Sequence, residues 1–266
     1  MLNRKIIKIC EQKFIYLNYS NRTKDIYIHY IKEFLSSINK QVIHLNSKDF
    51  QSYLDNYKFT SVSQQNQVIN AIRFLYKFGL EKKYDKVSFK RPKKEKKLPK
   101  VIYNDFILEK ISKIENLKHK AILSITYSVG LRVSEVINLK IEDIDSKRMI
   151  IHIKNAKGKK DRIVPLSQTI LELLRTYFKE YRPTEYLFNG QNNLKYSSGS
   201  CNKIVKKYLG EQYHIHQLRH SCFTHLLESG TDLRIIQSIA GHNSSKTTEI
   251  YTHVSKKLLN KVVLPI

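Results

Sequence analysis

Apolar side chains recur at the three- and four-residue spacing of amphipathic helices through most of this chain. In the first 80 residues this spacing predicts three helices, within residues 21–40, from about Ser47 with that serine as the cap, and from about Ser61 to Phe78. After residue 100 it predicts further helices near residues 104–111 and 121–129, over Gln168–Glu180 and about Ser198–Leu209, and within residues 216–251. The apolar segments 149–153 and 162–164 flank a polar turn with Gly158 and predict a β-hairpin. The predicted fold is therefore mainly α with a small β-sheet.

The chain carries a large excess of positive charge. It has 48 Lys and Arg residues against 23 Asp and Glu residues, which gives a formal net charge of +25. Such an excess favours a polyanionic partner. Nucleic acid is the leading interpretation, because Lys and Arg contacts to phosphates release counterions. A basic compositional bias and an acidic membrane surface are the alternatives.

A basic segment divides the two helical regions. Residues 90–100, K-R-P-K-K-E-K-K-L-P-K, contain seven basic residues, one acid and two prolines. Charge repulsion and proline stiffness keep such a segment extended. We therefore predict a helical domain over residues 1–89, a linker over 90–100 and a second domain over 101–266. Lys93 and Lys94 are expected to lie along DNA phosphates, and a plain solvated linker is the alternative.

One face of the third predicted helix also suits DNA. Asn66, Asn70, Arg73 and Lys77 recur at i, i+4, i+7 and i+11, opposite the apolar stripe. Amide side chains can pair with adenine edges, and Arg or Lys with guanine or phosphate. We predict DNA contact by this face, and a solvated polar face is the alternative.

The cysteines and the apolar runs bear on the compartment. Cys10, Cys201 and Cys222 are an odd number at no metal-like spacing, so neither a disulfide framework nor a metal site is indicated. No apolar run reaches the roughly 18 residues that a membrane helix needs. Charged residues interrupt the N-terminus before a signal-peptide core could form. We expect a soluble, cytoplasmic protein.

The stretch from residue 216 to 251 carries the candidate chemistry. It brings His216, Arg219, His242 and Tyr251 into 36 residues with helical apolar spacing between them. An Arg neutralises a phosphate with a planar fork, a His donates to phosphate oxygens or moves a proton, and a Tyr hydroxyl can attack phosphorus. The set predicts phosphodiester chemistry. Each member alone has a plainer explanation as a core residue, since the chain has ten histidines and 17 tyrosines.

Five motifs in order resemble those of the tyrosine recombinases, the phage integrase family. They are G-L-R-V-S-E at residues 130–135, a Lys-Gly turn at 157–158 followed by D-R-I-V-P-L, H-x-x-R at 216–219, Gly-His at 241–242, and a tyrosine nine residues after that histidine. The resemblance covers roughly residues 101–255, and residues 14–80 more loosely. It implies that residues 1–89 are a SAM-like core-binding domain and that residues 101–266 are the catalytic domain with a C-terminal tail.

The resemblance implies a phosphate-binding group. Arg132, in the first turn of a helix that begins after Gly130, would grip the scissile phosphate together with Arg219. His242 would add a hydrogen bond. Glu135 would support Arg132, although a local ion pair without a catalytic role is the alternative.

The resemblance also implies a nucleophile and its proton donors. Tyr251 would attack phosphorus and form a 3′-phosphotyrosine, and His216 would assist removal of its proton or bind the phosphate beside it. Lys157 would protonate the leaving 5′ oxygen, with Lys159 and Lys160 as alternatives. A 5′ hydroxyl of a second duplex would then attack the phosphotyrosine, and the strands would be rejoined through a Holliday junction. No metal ion and no cofactor are implied.

The implied partner is double-stranded DNA with inverted half-sites. The 15 residues after Tyr251 would dock on a neighbouring protomer and couple a homotetramer on two duplexes, and docking on their own domain is the alternative. About 20 residues precede the first predicted helix, so we expect a simple Xer-like recombinase without an arm-binding domain. A type IB topoisomerase and a DNA-binding protein with an idle active site are the competing hypotheses.

Overall fold

The computed structural model describes residues 2–81, 91, 99–154, 161–191, 195–242 and 244–252. The chain divides into two compact units, residues 1–96 and 97–266. Each unit encloses an apolar core of its own.

The described part of the first unit is entirely helical. Its helices are α1 Leu2–Tyr16, α2 Asn21–Ser37, α3 Ser47–Asn56 and α4 Val62–Phe74. A 3₁₀ turn, Val42–His44, follows α2, and a wider π-type turn, Leu75–Gly79, continues α4. Stacked rings join these elements, with Phe14 on Phe74 at 3.7 Å between centroids and Phe34 on Phe50 at 5.0 Å. Such aromatic pairs contribute beyond the area that they bury.

Helix α1 is an element that the sequence pattern analysis missed. Its buried residues are Ile6, Cys10 and Phe14, which recur at i, i+4 and i+8. This is the spacing of a helix face that lies against a core, so the signal was present. Charged residues between these positions made the apolar spacing less evident.

The start of α3 also differs from the prediction. Its N-cap is Asn46 and not Ser47, because Ser47 is already the first helical residue. The Asn46 side chain accepts hydrogen bonds from the backbone N–H groups of Lys48 and Asp49, and the Asp49 carboxylate accepts one from the Asn46 backbone. Two N–H groups that lack helical partners are satisfied in this reciprocal way.

The second unit combines helices with a small sheet. Its described helices are α5 Asn104–Ser112, α6 Leu117–Val129, α7 Val133–Asn138, α8 Gln168–Tyr181, α9 Ser198–Leu209, α10 Ile215–Glu228, α11 Leu233–Ala240 and α12 Ser245–Glu249. Helix α6 is central, because its buried residues surround most of its circumference. It packs against α8 and α10, among other elements.

The sheet has three antiparallel strands in the order β1-β2-β3. The strands are β1 Ile144–Asp145, β2 Ile150–Ile153 and β3 Arg162–Pro165. The predicted hairpin is the β2-β3 pair, in which Ile151 lies opposite Val164, and β1 was not predicted. Together with the helices, this sheet confirms the prediction of a mainly α fold with a small β-sheet.

Two further observations complete the fold. In α8 the buried aromatic residue is Tyr177, whereas its neighbour Phe178 is 37% exposed. Among the described helices, none has the combination of length and hydropathy that a membrane crossing requires.

Candidate active site

Helix α10 presents Arg219 to the centre of the second unit. Its side chain is buried, and its guanidinium donates to the backbone carbonyl oxygens of Gly130 and of Ala240, the latter at 2.7 Å. It also lies 3.2 Å from Nε2 of His242 and 4.7 Å above the ring of Phe223. Burial, and next the charge of Arg132, lower the pKa of Arg219 from 12.5 to about 10. This cation is therefore held rigidly in a place that destabilises its charge.

Arg132 contacts the turn at the end of α11, next to the carbonyl group that Arg219 contacts. It is the N-cap of α7, one residue before the first turn in which the sequence analysis placed it. The left-handed Gly130, at a φ of 63°, ends α6 two residues earlier, and a Cβ there would overlap the ring of Phe223. The guanidinium of Arg132 donates to the carbonyl oxygen of Gly241 at 3.3 Å. Arg132 and Arg219 thus hold consecutive carbonyl groups, those of residues 240 and 241.

Glu135 fixes this arrangement. Its buried carboxylate accepts from the backbone N–H and guanidinium of Arg132, both at 2.8 Å. It also accepts a bidentate pair of hydrogen bonds from Arg162, both at 2.8 Å, and lies 4.0 Å from Arg219. Burial raises the pKa of Glu135, but Arg162 and Arg132 outweigh burial and bring the pKa to about 2. The carboxylate is ionised and compensates buried cations.

Arg162 is a residue of this network that the sequence analysis did not single out. It begins β3, and besides Glu135 it donates from Nε to the carbonyl oxygen of Ile239 at 2.7 Å. The side chain is 8% exposed. It also lies against Gly241, where a Cβ would stand 3.0 Å from Cδ of the arginine. Arg162 therefore joins the hairpin to the end of α11.

The turn after α11 carries His242. Gly241 adopts a left-handed conformation at a φ of 60° and ends the helix, as glycine commonly does at this position. Nδ1 of His242 lies 3.0 Å from the hydroxyl of Thr248, and Nε2 faces Arg219. Burial, then the charges of Arg219 and Arg132, lower the pKa of His242 to about 4. The imidazole is therefore neutral at physiological pH.

Tyr251 follows α12 and packs into the same cluster. It is 2% exposed, and its ring lies 5.5 Å from the ring of Phe223 and 6.4 Å from that of His242, centroid to centroid. Its hydroxyl lies 3.3 Å from Nδ1 of His220. Burial raises the pKa of Tyr251 to about 12, although Arg219 acts in the opposite direction. The phenol therefore keeps its proton at physiological pH.

His216 lies farther from the phenol of Tyr251 than its neighbour His220 does. The residue as a whole is exposed, but one edge of its ring is covered where it packs against His220, with the centroids 4.6 Å apart. Partial burial, and next the charge of Arg219, lower its pKa. The residue in contact with Tyr251 is thus His220, which the sequence analysis did not single out. Its position directly after Arg219 was the available signal.

The remaining predicted residues lie either outside the described residues or in the first unit. Lys157 lies outside the described residues, as do Lys93, Lys94 and the tail after residue 252. In the first unit, Asn66 donates to the carbonyl oxygen of Val62, and Asn70 accepts from Arg91 at 2.8 Å. Arg73 is half-buried and Lys77 is exposed, so the predicted DNA face is partly engaged by its own unit.

Two arginines beside a buried tyrosine, on a helical fold in a strongly basic chain, are the groups expected in an enzyme that cleaves and rejoins DNA strands through a tyrosine. Residues 101–257 match the phage integrase family, and residues 7–86 match the N-terminal SAM-like domain of phage integrases. The chain belongs to the phage integrase family and is an Xer-like, site-specific tyrosine recombinase.

Individual relatives agree with this assignment. The chain is 35% identical to tyrosine recombinase XerA of Pyrococcus horikoshii, over 96% of this chain and 92% of that protein. It is 36% identical to tyrosine recombinase XerD of Staphylococcus epidermidis, over 73% of this chain and 72% of that protein. Its fold matches the XerH recombinase bound to palindromic difH substrate with a TM-score of 0.73 and 24% identity, over 97% of this chain and 83% of that one. The topoisomerase and idle-protein hypotheses are not favoured.

Proposed function

We propose that Arg132 and Arg219 hold the two non-bridging oxygens of a scissile DNA phosphate, and that His242 adds a hydrogen bond in the tautomer protonated at Nε2, which it adopts once the phosphate takes the acceptor place that Nε2 now fills beside Arg219. The observation that carries this proposal is that both guanidiniums contact the carbonyl groups of the turn from which His242 projects. Two cations fixed at one turn stabilise the charge that grows on the phosphate oxygens at the pentacoordinate transition state. Glu135 is a supporting residue, because it holds Arg132 and touches no reacting atom.

Tyr251 is the nucleophile in this mechanism. Its oxygen attacks phosphorus, the bond to the 5′ oxygen breaks, and a 3′-phosphotyrosine forms. A 5′ hydroxyl from a second duplex then attacks this phosphotyrosine, which regenerates the phenol and joins the strands through a Holliday junction. The phosphotyrosine conserves the energy of the broken bond, so the mechanism uses no cofactor.

Two further residues complete the proton transfers. The motif resemblance supports Lys157 as the donor to the leaving 5′ oxygen, since an ammonium group can give up a proton that a guanidinium keeps. His216 binds the phosphate or assists the removal of the Tyr251 proton.

The assembly follows from the same proposal. The substrate is double-stranded DNA with inverted half-sites, and the chain acts as a homotetramer on two duplexes, coupled by the tail after residue 252. The solved complex of lambda integrase is a tetramer bound to a Holliday junction, and the similarity of its fold supports this arrangement. The net charge of +25 supports extensive contact with phosphates.

The domain boundaries belong to the proposal as well. Residues 1–89 form a core-binding domain that contacts DNA through Asn66, Asn70, Arg73 and Lys77, and residues 90–100 form a basic linker in which Lys93 and Lys94 lie along phosphates. Residues 101–266 form the catalytic domain. Asn70 already accepts a hydrogen bond from Arg91. To read a base, this pair would have to open, or the N–H groups that the contact leaves unused would have to reach the base.

The test is covalent capture on a nicked suicide duplex, in which cleavage releases a short oligonucleotide and leaves the protein attached. Tyr251→Phe should abolish capture with duplex binding intact. Tyr208→Phe is the matched control, since the Tyr208 hydroxyl also lies against a histidine Nδ1, that of His119 at 3.0 Å. Capture by Tyr251→Phe at the wild-type level would exclude Tyr251 as the nucleophile.

A second pair of variants tests the phosphate-binding group. Arg132→Ala and Arg219→Ala should each lower the cleavage rate by a factor of about 100 or more, the scale expected when one donor to a developing oxyanion is lost. The duplex affinity should change far less than the rate. Near-normal cleavage by either variant would show that the phosphate binds elsewhere.

A further inference from the structure

The hydroxyl of Tyr251 has one hydrogen-bond partner among the described residues, Nδ1 of His220 at 3.3 Å. Both groups are shielded from water, with Tyr251 buried and His220 half-buried. A buried phenol that donates to no acceptor loses the hydrogen bond that it made with water. The His220 imidazole therefore determines where the phenolic oxygen is held.

The ionisation of both groups fixes the direction of this hydrogen bond. Burial raises the pKa of Tyr251 to about 12, and burial together with His216 and Arg219 lowers the pKa of His220 to about 4. At neutral pH a protonated phenol thus faces a neutral imidazole. The phenol donates to an unprotonated Nδ1, and the imidazole proton resides on Nε2.

Helix α10 gives this contact a defined geometry. His216, Arg219 and His220 stand at i, i+3 and i+4, and residues with this spacing lie on one face of a helix. Phe223, one turn later, lies under the guanidinium of Arg219 and against the ring of Tyr251. A single helix turn therefore carries both a phosphate-binding arginine and the partner of the phenol.

We propose that His220 is a positioning residue for the reaction: it accepts the Tyr251 O–H and so fixes the phenolic oxygen relative to the phosphate that Arg219 holds. This inference rests on the proposed function of Tyr251 as the nucleophile. Correct placement of two reacting atoms contributes much of the rate of such reactions, so a loose phenol slows attack without weakening substrate binding.

Two variants of similar size separate this role from packing. Asn places an amide oxygen near the position of Nδ1 and can accept the phenol, whereas Leu has nearly the same shape but no acceptor. Single-turnover capture on the suicide duplex, at saturating protein, should be about tenfold or more slower for His220→Leu and within about threefold of wild type for His220→Asn. Duplex affinity should be unchanged in both.

The chemistry of the leaving group gives a second readout. In a substrate whose bridging 5′ oxygen is replaced by sulfur, the leaving thiolate needs no proton donor. The defect of His220→Leu should persist on this substrate, because it lies on the side of the nucleophile, whereas Lys157→Ala should recover. Recovery of His220→Leu on the sulfur substrate would overturn the proposal.

A measurement on folded protein without a change at position 220 completes the test. In the ¹⁵N spectrum of the imidazoles, His220 should appear as a neutral ring protonated on Nε2. Its Nδ1 signal should move in Tyr251→Phe, because the phenol that donates to it is lost. Three outcomes contradict the inference: no such movement, wild-type capture by His220→Leu, or equal losses in the Asn and Leu variants. Tyr251→Phe tests the proposed function separately, since it stays inactive whether or not His220 positions the phenol.

Discussion

Replacement of Glu135 by Gln tests the charge arrangement on which the site depends. The carboxylate accepts four hydrogen bonds from Arg132 and Arg162 and lies 4.0 Å from Arg219. Gln has nearly the same shape but is neutral, and one of its two terminal atoms is a donor. Two of the four contacts would therefore bring donor against donor, and three buried or half-buried guanidiniums would lose their counter-ion.

Two independent estimates of the cost agree. The pKa of Glu135 falls from 4.5 to about 2 in the folded protein. Because one pH unit corresponds to about 1.4 kcal/mol, the interactions of the ionised form with its surroundings stabilise the fold by about 3 kcal/mol at neutral pH. Removal of one partner from a buried ion pair costs about 3–5 kcal/mol in other proteins. We therefore expect Glu135→Gln to lower the free energy of unfolding by about 3–5 kcal/mol.

The assay is denaturant unfolding of wild type and variant at pH 7 and along an acid series. The contribution of Glu135 is fully present above pH 4.5 and is lost as the pH falls towards about 2, so the difference between the two proteins should shrink over that interval. Glu109→Gln is the control, because Glu109 makes an exposed i,i+4 pair with Lys113 in the same unit. If Glu135→Gln and the control are equally stable, the carboxylate does not balance these arginines.

Three further outcomes are expected. Gly130→Ala should lower the free energy of unfolding by about 1–3 kcal/mol in denaturant titration, because φ is 63° and the added Cβ would stand 2.5 Å from Cζ of Phe223. His242 has a pKa lowered from 6.5 to about 4, so its contribution to stability should be lost as the pH falls from 6.5 to 4, and His242→Asn should flatten that part of the denaturant-midpoint profile. Arg162→Lys should slow suicide-duplex cleavage by about tenfold or more, since Lys cannot make the bidentate contact, whereas Arg148→Lys, at an exposed turn, should not.

Sequence reasoning predicted the residues that local motifs mark. Arg132, Arg219, His242 and Tyr251 each stand in a motif with fixed spacing, and the structure brings these four together around one turn. The hairpin and most helices followed from apolar periodicity, because that periodicity reflects which face meets the core. Helix ends were placed less accurately, since a cap depends on single hydrogen bonds such as that of Asn46.

The residues that were missed act through contacts distant in sequence. Arg162 lies 27 positions from Glu135 and 77 from Ile239, and only the fold shows that its guanidinium reaches both. His220 lies 31 positions from Tyr251. A histidine beside a motif residue has no periodic signal of its own, so its contact with the phenol required the packing of Tyr251 after α12 against α10.

The charges around the turn of Ala240 and Gly241 explain why the site would stabilise the transition state more than the bound substrate. In the described part of the chain, Arg132, Arg162 and Arg219 form salt bridges with Glu135 alone, which leaves an excess of two positive charges. The neutral His242 does not add to this excess, and the lowered pKa of Arg219 shows that its charge is held at a cost. A phosphodiester brings one negative charge, and its pentacoordinate transition state brings a second. On the proposed mechanism the excess is therefore fully balanced only as the phosphorus is attacked, so the arginines stabilise the transition state in preference to the bound DNA.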